Sequence, residues 1–233
     1  MRILRTFVFS CVLLSSCDLS ATAMERDTIQ TQPRSTVLKP ATKKEPFWTG
    51  CSVGYDLCGT VMALATPYGQ YEGMFRLNLK NRFFPTAELG LGISNHTDDT
   101  SNIKYKTASP YFRLGVDYNF LRDSHSGNRL FGGVRFAYTS YKFDLSAPDL
   151  KDPIYGTTVP FNLSGIKGNM LWSEVVFGVE AKIWKFFHVG WSVRYKLRLH
   201  EGKTAVDNAW YVPGFGKYGS NGLGGSFNVV FDI

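Results

Sequence analysis

Phe187-His188-Val189-Gly190-Trp191-Ser192-Val193-Arg194-Tyr195-Lys196-Leu197-Arg198-Leu199-His200 divides into two faces. Phe187, Val189, Trp191, Val193, Tyr195, Leu197 and Leu199 make a wholly apolar face. His188, Gly190, Ser192, Arg194, Lys196, Arg198 and His200 make a face that is basic, polar or glycine. A period of two means a β-strand, because successive side chains point to opposite faces. The run is more than twice the usual soluble strand of about 5–6 residues. That length points to strands that cross a bilayer, and so to a membrane barrel.

Working outward, Met170–Ile183 alternates as well, and Trp184–Phe186 between the two runs is a very short turn. Pairing about Lys185 sets Glu174 opposite Lys196 and Trp172 opposite Arg198. A register slipped by two residues would keep the same faces.

Six further stretches alternate. Gly50–Cys58 sends Cys51, Val53, Tyr55 and Leu57 to one face. Tyr71–Lys80 sends Tyr71, Phe75, Leu77 and Leu79 outward and Glu72, Arg76, Asn78 and Lys80 inward. Phe84–Asn95 sends Ala87, Leu89, Leu91 and Ile93 outward, with Glu88 and glycines inward. Tyr111–Phe120 sends Phe112, Leu114, Val116, Tyr118 and Phe120 outward, with Arg113, Asp117 and Asn119 inward. Leu130–Leu145 begins with Val134, Phe136 and Tyr138 outward, then changes to Tyr141, Phe143 and Leu145. A bulge near Thr139-Ser140 would cause that change, since one extra residue flips the faces. Leu223–Ile233 ends the chain with Leu223, Phe227, Val229, Phe231 and Ile233 outward and Ser226, Asn228 and Asp232 inward.

The connections alternate in length. Asn81-Arg82, Leu121–Arg129 and Trp184–Phe186 are short. Cys58–Gln70, His96–Thr107, Ser146–Lys167 and Glu201–Asn221 are long. Short turns on one side and long loops on the other are the layout of an outer-membrane barrel. It places both termini in the periplasm. Phe83, Phe84, Phe120, Phe131, Phe186, Phe187 and Phe231 gather at the short-turn end, as an aromatic girdle would. The expected fold is therefore all-β: a single eight-stranded antiparallel transmembrane β-barrel over residues 47–233. Closure is required, because an open edge in hydrocarbon leaves unpaired backbone groups. A soluble barrel of lipocalin type also closes, but carries its apolar faces inside.

Two segments precede the barrel. Residues 1–23 read as a cleaved signal peptide, with Arg2 and Arg5 before an apolar core too short for a membrane helix. Ala21-Thr22-Ala23 fits a signal-peptidase site. Leu14-Ser15-Ser16-Cys17 resembles a lipobox, which makes Cys17 a candidate lipidation site, and the choice between the two stays open. Residues 24–46 are polar and proline-containing and read as a disordered periplasmic tether. Cleavage at Ala23 leaves Cys51 and Cys58, with no metal-ligand spacing, so no metal or cofactor is expected. The formal net charge is +7. The basic residues are spread singly along strand faces, which argues against nucleic acid.

An eight-stranded barrel is just wide enough for side chains to fill it. The candidate lumen charges are Arg76, Glu88, Arg113, Asp117, Arg135, Glu174, Glu180, Lys182, Arg194, Lys196 and Arg198. Buried charges must be paired, so these predict a salt-bridged plug, with a narrow ion path or gate as the alternative. In the last long loop Trp210, Tyr211, Pro213 and Phe215 are candidate contacts for a partner protein or glycan, unless the loop packs on itself or folds over the mouth. Gly50-Cys51-Ser52-Val53-Gly54 matches G-x-S-x-G but lacks a strand–turn–helix context. Gly214–Gly219 matches G-x-G-x-x-G but opens no helix, and its glycines suit tight turns. A lipid-modifying enzyme would need a Ser/His/acid set, and His96, His125, His188 and His200 have no evident partners at strand-face spacing.

Tyr111–Asn119, Trp172–Arg198 and Tyr211-Val212-Pro213-Gly214-Phe215, in that order, resemble a Bacteroidota family of predicted outer-membrane barrels known as domain-of-unknown-function family 6048. The resemblance spans roughly Gly50–Ile233. It implies an outer-membrane barrel and carries no catalytic residue. The function expected is that of an envelope protein, structural or partner-binding through its outer loops. A narrow pore and a lipid-modifying enzyme are the alternatives.

Overall fold

The structure is a computed structural model that describes residues 47–233 apart from 101, 122–126, 152–157 and 203–208. The signal peptide, the tether and Cys17 lie outside the described residues. In chain order the strands are β1 (Trp48–Asp56), β2 (Tyr68–Leu79), β3 (Phe83–Thr97), β4 (Lys104–Asn119), β5 (Arg129–Lys151), β6 (Thr158–Lys182), β7 (Phe187–Glu201), β8 (Tyr211–Val212), β9 (Gly216–Lys217) and β10 (Asn221–Asp232). β1 to β7 and β10 form a closed antiparallel barrel, and β8 pairs with β9 apart from it. Successive barrel strands are neighbours in the ring, joined by short turns at one end and by longer connections at the other, and β10 closes it on β1. No helix in the described residues is long and apolar enough to cross a membrane, which says nothing of strands.

The side chains sort by period two. Val53, Phe75, Leu89, Phe112, Leu114, Phe136, Val175, Phe177, Trp191 and Leu223 are exposed on the outside. Glu88, Arg113, Asp117, Arg135, Glu174 and Arg194 are buried inside. The β6–β7 register sets Trp172 opposite Arg198 and Glu174 opposite Lys196, as the short turn requires.

Four expectations fail for identifiable reasons. Leu130–Leu145 contains no switch of face. Val134 and Phe136 point out, and Tyr141 and Phe143 point in, on one unbroken alternation. The pairing with β6 runs without a shift from Arg129↔Glu180 to Phe143↔Ile166. The apolar pattern changes because the interior itself turns apolar at that level. Phe84 and Phe131 also point inward, where the Arg76 guanidinium lies 5.7 and 5.2 Å from their ring centroids. They are cation–π partners of a buried arginine; of the residues expected in the girdle, Phe83, Phe120, Phe186 and Phe231 are exposed and Phe187 is half-buried.

The third difference is a helix. The strand read as Gly50–Cys58 stops at Asp56, and α1 (Leu57–Ala65) follows where a loop was expected. The Asp56 carboxylate caps it, accepting from the backbone N–H of Cys58 at 3.1 Å and Gly59 at 3.2 Å. A helix this short shows too little periodicity to be read. The fourth difference is the β5–β6 hairpin, whose strands continue into the expected loop. β5 pairs with β4 only to Ser146↔Lys104, and β6 with β7 only to Met170↔Glu201. Beyond those levels the two strands pair with each other alone, as an arm.

Candidate functional site

The interior is built in layers, because alternate residues of every strand face it. Nearest the short-turn end, Glu180 of β6 meets Arg76 of β2 at 2.7 Å and Arg129 of β5 at 2.5 Å. Arg129 also meets Asp232 at 3.0 Å. His188 lies 3.5 Å from Glu180 and 3.0 Å from Asp232. Above them Arg135 bridges Glu88 at 2.6 Å and Asp117 at 3.0 Å. Higher still, Arg113 contacts Glu72, Glu88 at 3.1 Å and Glu174 at 2.9 Å. Arg194 meets Glu72 at 3.1 Å and Glu88 at 2.7 Å. Each of these five arginines is ion-paired. That is the condition for burying charge, since breaking such a pair by removing one partner costs about 3–5 kcal/mol.

Two hydrogen bonds join this network to an aromatic layer. Tyr111 donates its hydroxyl to Glu72 at 2.6 Å, and Trp172 donates Nε1–H to Glu174 at 2.7 Å. Tyr105, Tyr141, Phe143 and Met170 complete a buried apolar chamber. Into it folds the loop that carries β8 and β9. Val212-Pro213-Gly214-Phe215 makes the turn, with Phe215 N–H donating to the Val212 carbonyl at 3.1 Å and Gly214 at φ 81°. Proline followed by a positive-φ glycine is the signature of a type II turn.

The turn is clamped on all sides. Arg113 and Lys196 donate to the Gly214 carbonyl at 2.8 and 2.7 Å, and Lys196 also to that of Phe215 at 3.0 Å. Tyr105 donates to the Tyr211 carbonyl at 2.6 Å, and Tyr211 to the Gly69 carbonyl at 3.3 Å. Phe215 sets its ring edge-on to Trp172. Pro213 fits against Gly92, where a Cβ would stand 2.7 Å from the Pro213 Cα. Burial pushes the Tyr211 phenol up to about 12, against the pull of the Arg113 charge.

The structure brings together Arg76, Glu88, Arg113, Asp117, Arg135, Glu174, Glu180, Arg194 and Lys196. It leaves out two expected members. Lys182 is exposed near the short-turn end. Arg198 is at the opposite rim, paired with Glu201 at 2.8 Å and lying over the Tyr218 ring. The strand ends place both beyond the filled interior. Glu72, Arg129, His188 and Asp232 belong to the network and were missed as site residues. Inward parity already marked Glu72, His188 and Asp232. His188 has two acidic neighbours after all, supplied by β6 and β10 rather than by its own strand. Tyr211, Pro213 and Phe215 are buried inside the barrel rather than displayed outside. Trp210 is half-buried and stacks on His96 at 4.0 Å between ring centroids. Among the described residues no cluster of His, Cys, Asp or Glu is arranged to hold a metal ion.

No curated protein matches the chain. A solved structure, Acinetobacter baumannii CarO2, is similar to it with a TM-score of 0.42 and 15% identity, over 79% of this chain and 97% of that one. The family model described as Domain of unknown function (DUF6048) matches residues 3–233, and the chain belongs to that family.

Proposed function

We propose that the protein is an outer-membrane β-barrel with a filled, non-conducting interior, acting as a structural or partner-binding envelope protein through its outer loops. One observation carries this reading: the closed ring turns apolar side chains outward and paired charges inward. In water that arrangement wastes the hydrophobic effect, whereas in a bilayer it satisfies both phases. The partner-binding role falls to the β5–β6 arm, because the last loop is folded into the barrel.

A gated channel is the second reading. It is favoured by the clamp on Gly214 and Phe215, which consists of a few hydrogen bonds to backbone carbonyls that a displaced loop could exchange for water.

The test is gel mobility of the membrane-extracted protein, boiled against unboiled in SDS, with fractionation of the cells. A shift on boiling and recovery with the outer membrane are expected. A protein that is free in the periplasm and unshifted would overturn the membrane reading.

A further inference from the structure

Where β1 stops, the wall of the barrel is incomplete. β1 pairs with β10 as far as Asp56↔Asn228 and with β2 as far as Tyr55↔Gly73. Beyond that level β10 continues along β7 to Asn221↔Leu197, and β2 along β3 to Tyr68↔Ser94. No strand bridges β10 and β2 there among the described residues. α1 fills the interval instead. It is seated closely on β2, since a Cβ on Gly69 would collide with Ala63 and one on Gly59 would stand 2.6 Å from Gln70. It carries no charged residue and leaves Leu57, Val61 and Leu64 exposed.

Behind this helix lies a cavity of about 520 Å³, within the roughly 300–1,000 Å³ of small-molecule sites. α1, β2, the inserted loop and the Gly222–Gly225 run of β10 line it, and it is partly open to the surroundings. Lys196 and Lys217 both line it, and no carboxylate does among the described residues. An ammonium has three N–H donors, and Lys196 engages the carbonyls of Gly214 and Phe215. Lys217 Nζ is 5.7 Å from the Trp210 ring centroid. Gly225 also lines a second hollow, about 290 Å³, on the outer face beside Cys58, Phe177, Val179, Trp191 and Val193. A cationic cavity and an apolar external groove thus meet at a wall residue without a side chain.

We propose that this seam admits a single-chain amphiphile with an anionic head from the membrane phase. Lys196 and Lys217 hold the head, and the tail leaves past Gly225 into the outer groove. The proposal rests on the outer-membrane reading above. Charge complementarity selects an anion, and a cavity partly shut off from water strengthens that attraction. Two glycines of β10 leave room there: a Cβ on Gly222 would meet nothing within 4 Å, and one on Gly225 only the Ser192 carbonyl oxygen at 3.8 Å.

The experiment uses the folded full chain in an uncharged maltoside detergent. The probe is dansyl-labelled undecanoate, displaced by decanoate, decyl phosphate or decanol. Saturable fluorescence is expected, with the two anions displacing the probe about tenfold more readily than the alcohol, a difference of about 1.4 kcal/mol. The better of the two anions distinguishes a carboxylate from a phosphate source. Gly222→Leu, which fills the open space, and Lys217→Gln should each weaken binding about fivefold or more. Equal displacement by decanol, no saturable signal, or full affinity in both variants would overturn the proposal. Gel mobility of the same samples separates the two readings. A boiling shift without binding ends this inference alone, and absence of the shift ends the membrane reading and this inference with it.

Discussion

The Arg113 guanidinium on β4 donates to the Gly214 carbonyl at 2.8 Å, across 101 residues of chain. The same side chain touches Glu72, Glu88 and Glu174. One residue therefore ties the inserted loop to the ionic interior. Arg113→Met leaves three carboxylates short of a cation and the Gly214 carbonyl short of a donor. It is expected to lower stability by about 3–5 kcal/mol, read as a lower temperature for the boiling shift. Arg113→Lys recovers only part of this, because an ammonium lacks the planar fork that reaches several partners at once. Equal behaviour of both variants and the parent would remove Arg113 from the clamp.

Alkaline pH should release the loop. The Tyr211 phenol is held at about 12 by burial, against about 10 in an unfolded chain. Its folded pKa is raised, so its contribution to stability is complete below pH ~10. That contribution is lost as the pH climbs toward 12. The tyrosinate absorbance of the parent minus that of Tyr211→Phe should rise near the upper end of this window. Titration at the lower end would mean an exposed phenol. The variant also gives up the hydrogen bond to Gly69, about 1 kcal/mol.

The strands were legible because an apolar exterior and a charged interior reinforce one period. Glu174 and Lys196 could be paired from sequence, since a short turn and a period of two leave few registers. The same logic misplaced Tyr141 and Phe143, because it assumed a polar interior throughout. Their inward apolar faces make sense only once Pro213 and Phe215 are known to fill the chamber. Periodicity is silent about where a long loop returns. The Val212-Pro213-Gly214-Phe215 turn was visible as a turn, yet nothing in it names Gly92 as its seat. α1 had a cap in Asp56, but too few residues for a helical period to emerge.

Leu114→Arg separates a membrane wall from a soluble one. Leu114 faces outward, more than half exposed, between Ala87 and Phe136 of the flanking strands. On a soluble surface such a change stays within about 0.5 kcal/mol. At a bilayer midplane it costs about 2–4 kcal/mol. Denaturant unfolding from lipid vesicles should show the larger loss. A neutral result would place this face in water.

Gly92→Val should unseat the loop without harming the ring. The valine would intrude on Pro213, whose backbone cannot yield while the turn is clamped. Overpacking of this kind costs about 1–3 kcal/mol. The expected result is a retained boiling shift with faster protease cleavage between Glu201 and Asn221. Unchanged cleavage would mean the loop tolerates the intrusion in place.

Planar-bilayer recording decides between the filled barrel and the gated channel. In the parent, every arginine of the interior network is already paired, so an ion entering must break a salt bridge that its own hydration cannot replace. No unitary current steps are expected from the parent, Glu174→Gln or Arg198→Gln. Gly92→Val is the sharper case, because it removes the loop and leaves the layers of Arg113, Arg135 and Arg76 beneath it. If those layers seal the barrel, this variant is silent too. Steps that appear only in Gly92→Val would make the loop a gate, and steps in the parent would overturn the filled interior.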